Sequence, residues 1–286
     1  MLAATVFLAA CASTATAPTS ASVPASVPVP NSAPPAVSVL PPGEIKAFVV
    51  QGYVSVRDHD GKSKPLVRGD SLAQGSTVLT GEDGLVLLFF SNGNAVQLRP
   101  NSQLELTAFQ QAPYDTKEGE ETFNRLQADP SKSIAYLSLV SGTLVTRVRP
   151  LDSEAGSTFT IKTPAGRTLT PGAILRVQVA LGDNGEFSLV DVAVAQGVAE
   201  FDLALNNLGT GLAPPRTRIW AGGQLKISHT PGNYAVMGAA FTGEEAGVVI
   251  NSLYASINEI LSNEMPESVP MPPTVPHLPE AIMGAP

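Results

Sequence analysis

Short apolar runs that alternate with turn residues between positions 68 and 106 limit most strongly what this chain can fold into. The runs Ser76–Thr80, Leu85–Ser91 and Asn94–Leu98 are rich in valine, leucine, phenylalanine and threonine. This spacing is typical of short β-strands that are connected by tight turns. Because Leu85–Phe90 is apolar at every position, we expect a central strand that is covered on both faces.

Glycine, asparagine and aspartate mark the turns between these strands, since they tolerate the positive φ that many tight turns require. We expect a positive φ at Gly81 and Gly93 in particular. Farther along the chain, Gly182–Gly185 between two apolar runs predicts a β-hairpin. Thr163-Pro164 and Thr170-Pro171 are each predicted to end a strand, because proline cannot donate to a β-ladder. The predicted structural turn residues are Gly69, Asp70, Gly75, Gly81, Gly84, Asn92, Gly93, Gly142 and Gly172.

The same turn glycines and strand apolars resemble the FecR-type domain over about residues 46–228. The resemblance fades in Val192–Phe201 and Trp220–Leu225, and Gly172-Ala173 stands where the family usually has Gly-Thr. It implies an all-β domain that is sandwich-like or short β-helix-like. The residues that carry it are Gly69-Asp70, Leu72, Gly75, Val78, Thr80-Gly81, Gly84, Leu87, Phe89, Asn92-Gly93, Val96, Leu98, Pro100, Ser102 and Leu104, followed by Leu139–Val148 and Phe159–Val177.

The apolar start of the chain is similar to a bacterial lipoprotein signal. Leu8–Cys11 looks like a lipobox, in which Cys11 would receive lipid and become the new N-terminus. Residues 12–43 contain no charged residue and many prolines, so they are expected to be extended and could reach on the order of 100 Å. We therefore expect a periplasm-facing or outer-membrane lipoprotein of the bacterial cell envelope, held to the membrane by its lipid anchor only.

One helix is predicted after the β region. Thr242 can cap it, Glu244 and Glu245 lie in its first turn, and Pro266 stops it. Its apolar face consists of Val249, Leu253, Ile257, Ile260 and Leu261. The expected organisation is a signal peptide with lipobox (1–11), a disordered Ala/Ser/Pro linker (12–43), the FecR-type β domain (44–230), the C-terminal helix (242–263) and a disordered Pro-rich tail (264–286).

The chain carries no recognisable catalytic or metal-binding pattern. Its three histidines, His59, His229 and His277, are far apart, and no HxxxH, CxxC or GxSxG motif occurs. The net charge of -8 at pH 7 argues against nucleic acid, whose phosphates need a basic face. We therefore predict a protein that is not an enzyme, has no cofactor or metal site and does not bind nucleic acid.

Two kinds of binding function remain, together with a regulatory one. The favoured hypothesis is an adaptor whose β domain binds another envelope protein; the alternative is a carbohydrate- or peptidoglycan-binding module. Aromatic residues make up only 6% of the chain, which favours the adaptor, because sugars usually stack on exposed aromatics. A further alternative follows from the resemblance. The name-giving members look like sigma-factor regulators with a cytoplasmic anti-sigma segment and one transmembrane helix, neither of which we expect here.

Two segments bear on this choice. Ala112–Ser133 interrupts the β pattern and is predicted to be an exposed insertion, whose acidic residues 115–121 offer an alternative role as a docking loop. Trp220 is the only tryptophan of the chain. At the end of a β domain, we predict that it fills the core instead of serving as a ligand platform.

Overall fold

The computed structural model describes residues 40–115, 126–204, 216–230, 233–240 and 242–264. The lipobox with Cys11, most of the predicted linker and nearly all of the Pro-rich tail lie outside these residues, as do positions 116–125 of the predicted insertion. The expectations for these segments therefore stay predictions.

The described residues are mostly β-strand with one α-helix, which confirms the predicted fold class. The strands are β1 (Ile45–Gln51), β2 (Val54–Arg57), β3 (Ser63–Pro65), β4 (Thr77–Thr80), β5 (Leu85–Phe90), β6 (Ala95–Leu98), β7 (Gln103–Gln111), β8 (Ser133–Val148), β9 (Thr158–Thr163), β10 (Gly166–Leu181), β11 (Phe187–Leu203), β12 (Thr217–Trp220), β13 (Gly223–Thr230) and β14 (Asn233–Ala240); the helix is α1 (Gly243–Glu264).

The strands form one hydrogen-bonded sheet with the order β14-β13-β11-β10-β9-β8-β7-β4-β2-β3. β1, β5 and β6 join this path because β6 pairs with β8, and β12 pairs with β11. β8 and β9 are parallel, whereas the other pairs of described strands are antiparallel.

β8 changes partners halfway along its length. Its first part, Ser133–Ser141, pairs with β7 and β9, and Gly142–Val148 pairs with β6 and β10. Gly142 lies at the change with a φ of 91°, inside a continuous strand instead of between two strands. A Cβ at Gly142 would lie 2.0 Å from Oγ of Ser102, so β8 can pass this close to Ser102 only because residue 142 has no side chain.

β5 is covered on both faces, as predicted. Val86, Leu88 and Phe90 belong to the main core between the strands. Leu87 and Phe89 point to the opposite side, since successive residues of a strand alternate, and they lie in a second cluster beneath α1.

The helix packs on this second cluster through Val249 and Leu253, which are 2% and 0% exposed. A capping box fixes its start: Oγ1 of Thr242 accepts from the Glu245 N–H at 3.2 Å, and Oε2 of Glu245 accepts from the Thr242 N–H at 3.0 Å. The side chains of Ile257, Ile260 and Leu261 lie outside the described residues. In the part of the chain that the structure describes, no helix is long and apolar enough to cross a membrane.

The structure confirms the predicted hairpin and the positive φ of Gly93, but not the positive φ of Gly81. The hairpin is confirmed, because β10 ends at Leu181 and the Gly182 N–H donates to the Glu186 carbonyl at 2.7 Å. Gly93 has the expected positive φ of 83°. Gly81 does not, and the prediction for this residue was wrong. A Cβ there would lie 3.2 Å from the Tyr53 ring, so close packing accounts for glycine at this position.

Proline ends only one of the two strands for which this was predicted. β9 stops at Thr163, but β10 continues through Thr170-Pro171. The register of β10 against β11 shifts between Leu169 and Gly172, so an irregularity in the ladder accommodates the missing N–H.

Candidate functional site

The residues that sequence analysis examined for chemistry do not converge on a reaction centre. His59 lies in the exposed turn before β3, 3.1 Å from a carboxylate oxygen of Asp60. His229 lies in β13, where its Nδ1 is 3.0 Å from the Phe187 carbonyl oxygen. His277 is outside the described residues. Within the described ranges, no group of three or more histidine, cysteine, aspartate or glutamate side chains is arranged to hold a metal ion.

Trp220 is 61% exposed, and the prediction that it fills the core was wrong. The reason is strand alternation in β12, which pairs with β11 through Ala199↔Ile219 and Val198↔Trp220. Ile219 is 5% exposed and occupies the core face, so the next residue must point away from it. Trp220 therefore presents its indole on the surface.

An ion-pair network holds the arginine beside this indole. The guanidinium of Arg218 lies 5.6 Å from the ring centroid of Trp220, and its Nε donates to Oε1 of Glu200 at 3.0 Å. Nε of Arg216 donates to Oδ1 of Asp202 at 2.6 Å, and its Nη1 donates to Oε2 of Glu200 at 3.1 Å. Hydrogen bonds from Arg218 lower the pKa of Glu200, and those from Arg216 lower the pKa of Asp202. The carboxylates thus stay charged and keep Arg218 in place.

β14 is an edge strand without charge. Its eight residues, NYAVMGAA, contain neither lysine nor proline. Among the described strands it pairs with β13 alone, in a register without a shift from Gly223↔Ala240 to Thr230↔Asn233. Residues 235–240 are exposed, including Val236 at 44% and Met237 at 55%.

A cleft of about 340 Å³ connects Trp220 with this edge. Arg218 and Trp220 line it from β12, Gln224 lines it from β13, and Gly238 and Ala239 line it from β14. We call Arg218, Trp220, Val236, Met237 and this cleft the β12–β14 surface. It combines an exposed aromatic ring, a cation held by ion pairs and the outer backbone edge of β14, which no other described strand occupies, and this combination suits the binding of an extended chain.

The predicted site residues lie elsewhere in the fold. The turn residues Gly69, Asp70, Gly75, Gly81, Gly84, Asn92 and Gly93 belong to the β1–β7 part of the chain, Gly142 and Gly172 lie inside β8 and β10, and Cys11 lies outside the described residues. Of the acidic positions 115–121, only Asp115 is described. The signal for the β12–β14 surface was nevertheless present in the sequence, as an uncharged run at 233–240 close to the only tryptophan.

Neither a protein-family model nor a curated protein sequence matches the chain. The chain is similar in structure to two crystal structures of a "putative anti-sigma factor" from Parabacteroides distasonis ATCC 8503, each with a TM-score of 0.41. One match has 13% identity and covers 61% of this chain and 63% of the other; the second has 14% identity and covers 65% and 74%. A structural similarity with this TM-score and sequence identity does not indicate a function.

Proposed function

We propose that the protein is a non-catalytic binding protein of the bacterial cell envelope, whose FecR-type β domain binds an extended segment of another envelope protein. The observation that carries this proposal is β14, an uncharged and exposed edge strand. Its outer edge offers a row of backbone N–H and C=O groups to which a partner strand can pair.

The composition of β14 supports this use of the edge. Sheet proteins commonly protect their edges from pairing with lysine, proline or a bulge. β14 has none of these in its eight residues, and its neighbour β13 holds it in a regular register. The strand is therefore shaped to accept a partner.

The side chains around the edge favour a protein partner with apolar side chains. Tryptophan, arginine and methionine are enriched at protein interfaces, and Trp220, Arg218 and Met237 are all exposed on this surface. The side chains of a partner strand beside β14 would alternate between the two faces of the sheet, next to Val236 on one face and next to Met237 on the other. The cleft beside Trp220 could hold one of these partner side chains. The predicted lipid anchor at Cys11 and the extended linker would let the domain search for such a segment near its membrane.

Photo-crosslinking in cells tests the proposal. The full-length protein carries a photoreactive amino acid at Met237, at Val236 or, as a control, at Val67, which is 57% exposed before β4. We expect a crosslink to one envelope protein from positions 236 and 237 and none from position 67. Ala235→Pro should abolish it, because proline distorts the strand edge. Equal crosslinking from all three positions, or crosslinks to a second copy of this chain only, would contradict the proposal.

The exposure of Trp220 favours a second candidate function, the binding of a glycan such as peptidoglycan. An indole that is 61% exposed beside a cleft can serve as a stacking platform for a sugar ring. Co-sedimentation of the purified protein with peptidoglycan separates the two functions. A glycan site requires that Trp220→Ala abolishes saturable binding, whereas Met237→Lys leaves it unchanged. A periplasmic regulatory domain related to sigma-factor regulators stays a further prediction from the FecR resemblance alone.

A further inference from the structure

A second cleft, of about 210 Å³, lies beside the helix and away from the β12–β14 surface. Arg147 and Arg149 line it from the end of β8, Ala173 and Ile174 from β10, Gln196 from β11, and Tyr254 from α1. Its wall is therefore apolar on the β10 side and basic on the β8 side.

Arg147 is the feature of this cleft that requires an explanation. Arg147 is 5% exposed, and its Nε and Nη2 atoms are buried without a hydrogen-bond partner. These two nitrogens form one edge of the guanidinium, which matches two oxygens of a carboxylate in a bidentate pair. Tyr254 is the aromatic neighbour of this guanidinium, but it leaves Nε and Nη2 without an acceptor, and buried donors without an acceptor are costly.

The surroundings of Arg147 add positive charge. Among the described residues, no carboxylate lies within ion-pair distance of it. Burial, followed by repulsion from Arg149, lowers the pKa of Arg147 to about 10, and the interaction with Tyr254 opposes this shift. By contrast, Arg176 on the neighbouring strand is paired with Asp191 at 3.0 Å. Two arginines thus line the cleft, and among the described residues the guanidinium of Arg147 has no carboxylate beside it.

Tyr254 lines the cleft next to Arg147. Its ring centroid lies 5.9 Å from Cζ of Arg147, and the residue is 37% exposed at the surface of α1. Rotation of a partly exposed tyrosine is inexpensive compared with movement of a strand, because only side-chain torsions change. Such a rotation would give up the contact with Arg147 and enlarge the cleft beside its guanidinium.

We propose that this cleft binds a carboxylate that carries a short apolar group. The two carboxylate oxygens accept hydrogen bonds from Nε and Nη2 of Arg147 after Tyr254 turns outward, and the apolar group contacts Ala173 and Ile174. A volume of about 210 Å³ holds only a fragment-sized group. The carboxylate belongs either to a small free acid or to the C-terminus of a peptide.

Calorimetry on the purified full-length protein tests the site with three probes: butyrate, N-acetyl-alanyl-alanine and inorganic phosphate. We expect saturable binding of at least one of the two carboxylates. A preference for butyrate indicates a free acid, and a preference for the blocked dipeptide indicates a peptide C-terminus. Tighter binding of phosphate than of both carboxylates, or no saturable binding to either the wild type or Tyr254→Ala, overturns the proposal.

Variants assign the binding to Arg147. Arg147→Met should weaken carboxylate binding at least tenfold. Arg147→Lys, which keeps the charge but loses the paired donors, should weaken it nearly as much. Arg57→Met is the control, since Arg57 lies at the end of β2 and lines neither this cleft nor the one in the β12–β14 surface. Unchanged binding in Arg147→Lys together with a native circular dichroism spectrum overturns the assignment.

Discussion

Nη2 of Arg176 lies 3.0 Å from Oδ2 of Asp191, and this ion pair joins β10 and β11. Asp191 is 4% exposed, and Nε2 of Gln224 from β13 donates to both of its oxygens, at 2.9 and 2.8 Å. The carboxylate is thus buried with its hydrogen-bonding capacity used by two strands. On the same sheet, Arg147 contacts Tyr254 but has no carboxylate partner among the described residues, so the two arginines can be compared directly.

Arg176→Met is expected to lower the free energy of unfolding by about 2–3 kcal/mol, because it leaves the Asp191 charge buried without its cation. Arg147→Met should cost much less or stabilise the protein, because it removes a buried charge that lacks an anion. Urea unfolding measures both variants. The double change Arg176→Met with Asp191→Leu should recover part of the loss, and a larger loss in Arg147→Met than in Arg176→Met would contradict this account.

Asp129 is expected to titrate above its ordinary value. Burial raises its pKa, and hydrogen bonds from Ser157 and Ser133 oppose the rise without cancelling it. Because the folded pKa exceeds the unfolded one, the stabilisation from the protonated carboxyl is complete below the unfolded pKa and is lost as the pH rises through the folded pKa. Asp129→Asn should therefore gain stability relative to the wild type as the pH rises above the ordinary aspartate pKa of about 3.9. A pKa at or below 3.8 in an NMR titration would refute the prediction.

Gly142→Ala should destabilise the protein more than Gly61→Ala does. Both glycines have a positive φ, 91° and 82°, so each alanine pays about 1 kcal/mol of backbone strain. A Cβ at Gly61 meets nothing within 4 Å, whereas one at Gly142 would lie 2.0 Å from Oγ of Ser102. We expect a total cost of about 3 kcal/mol at Gly142, from strain and overpacking together. Thermal unfolding measures the difference, and equal costs at the two sites would mean that Ser102 moves aside freely.

Leu253→Ala is expected to lower the free energy of unfolding by about 2–4 kcal/mol, because Leu253 of α1 is fully buried in the second cluster. Val248→Ala on the same helix is the control, since Val248 is 59% exposed and should change stability by less than about 0.5 kcal/mol. Chemical denaturation followed by tryptophan fluorescence and by circular dichroism checks both. If Leu253→Ala is as mild as Val248→Ala, the helix does not contribute to the stability of the sheet.

Features with a local cause could be predicted from the sequence. The two-sided burial of Leu85–Phe90, the hairpin at Gly182–Gly185 and the helix cap at Thr242 each follow from a few consecutive residues. The failures have non-local causes. Gly81 is required by contact with Tyr53, and β10 passes Pro171 because the ladder with β11 shifts its register there.

The candidate site was harder to predict than the fold for the same reason. A single tryptophan near the end of a β domain can lie on either face of its strand, and the face depends on the pairing of Ile219 with Ala199. Similarly, the run at 233–240 becomes an exposed edge only because β13 is its one partner among the described strands. Neither of these strand pairings can be predicted from the neighbouring residues alone.

The change of partners within β8 determines how the fold could be rewired. Since β8 pairs with β7 and β9 in its first part and with β6 and β10 in its second, a chain break near Gly142 would leave only the short ladder between β9 and β10 to pair these two groups directly, among the described strands. Circular permutants that open there would lose the element that aligns both groups. New termini at Asp183 and Asn184 would instead fall in an exposed hairpin turn, outside the ladder between β10 and β11, so no strand pairing would be interrupted.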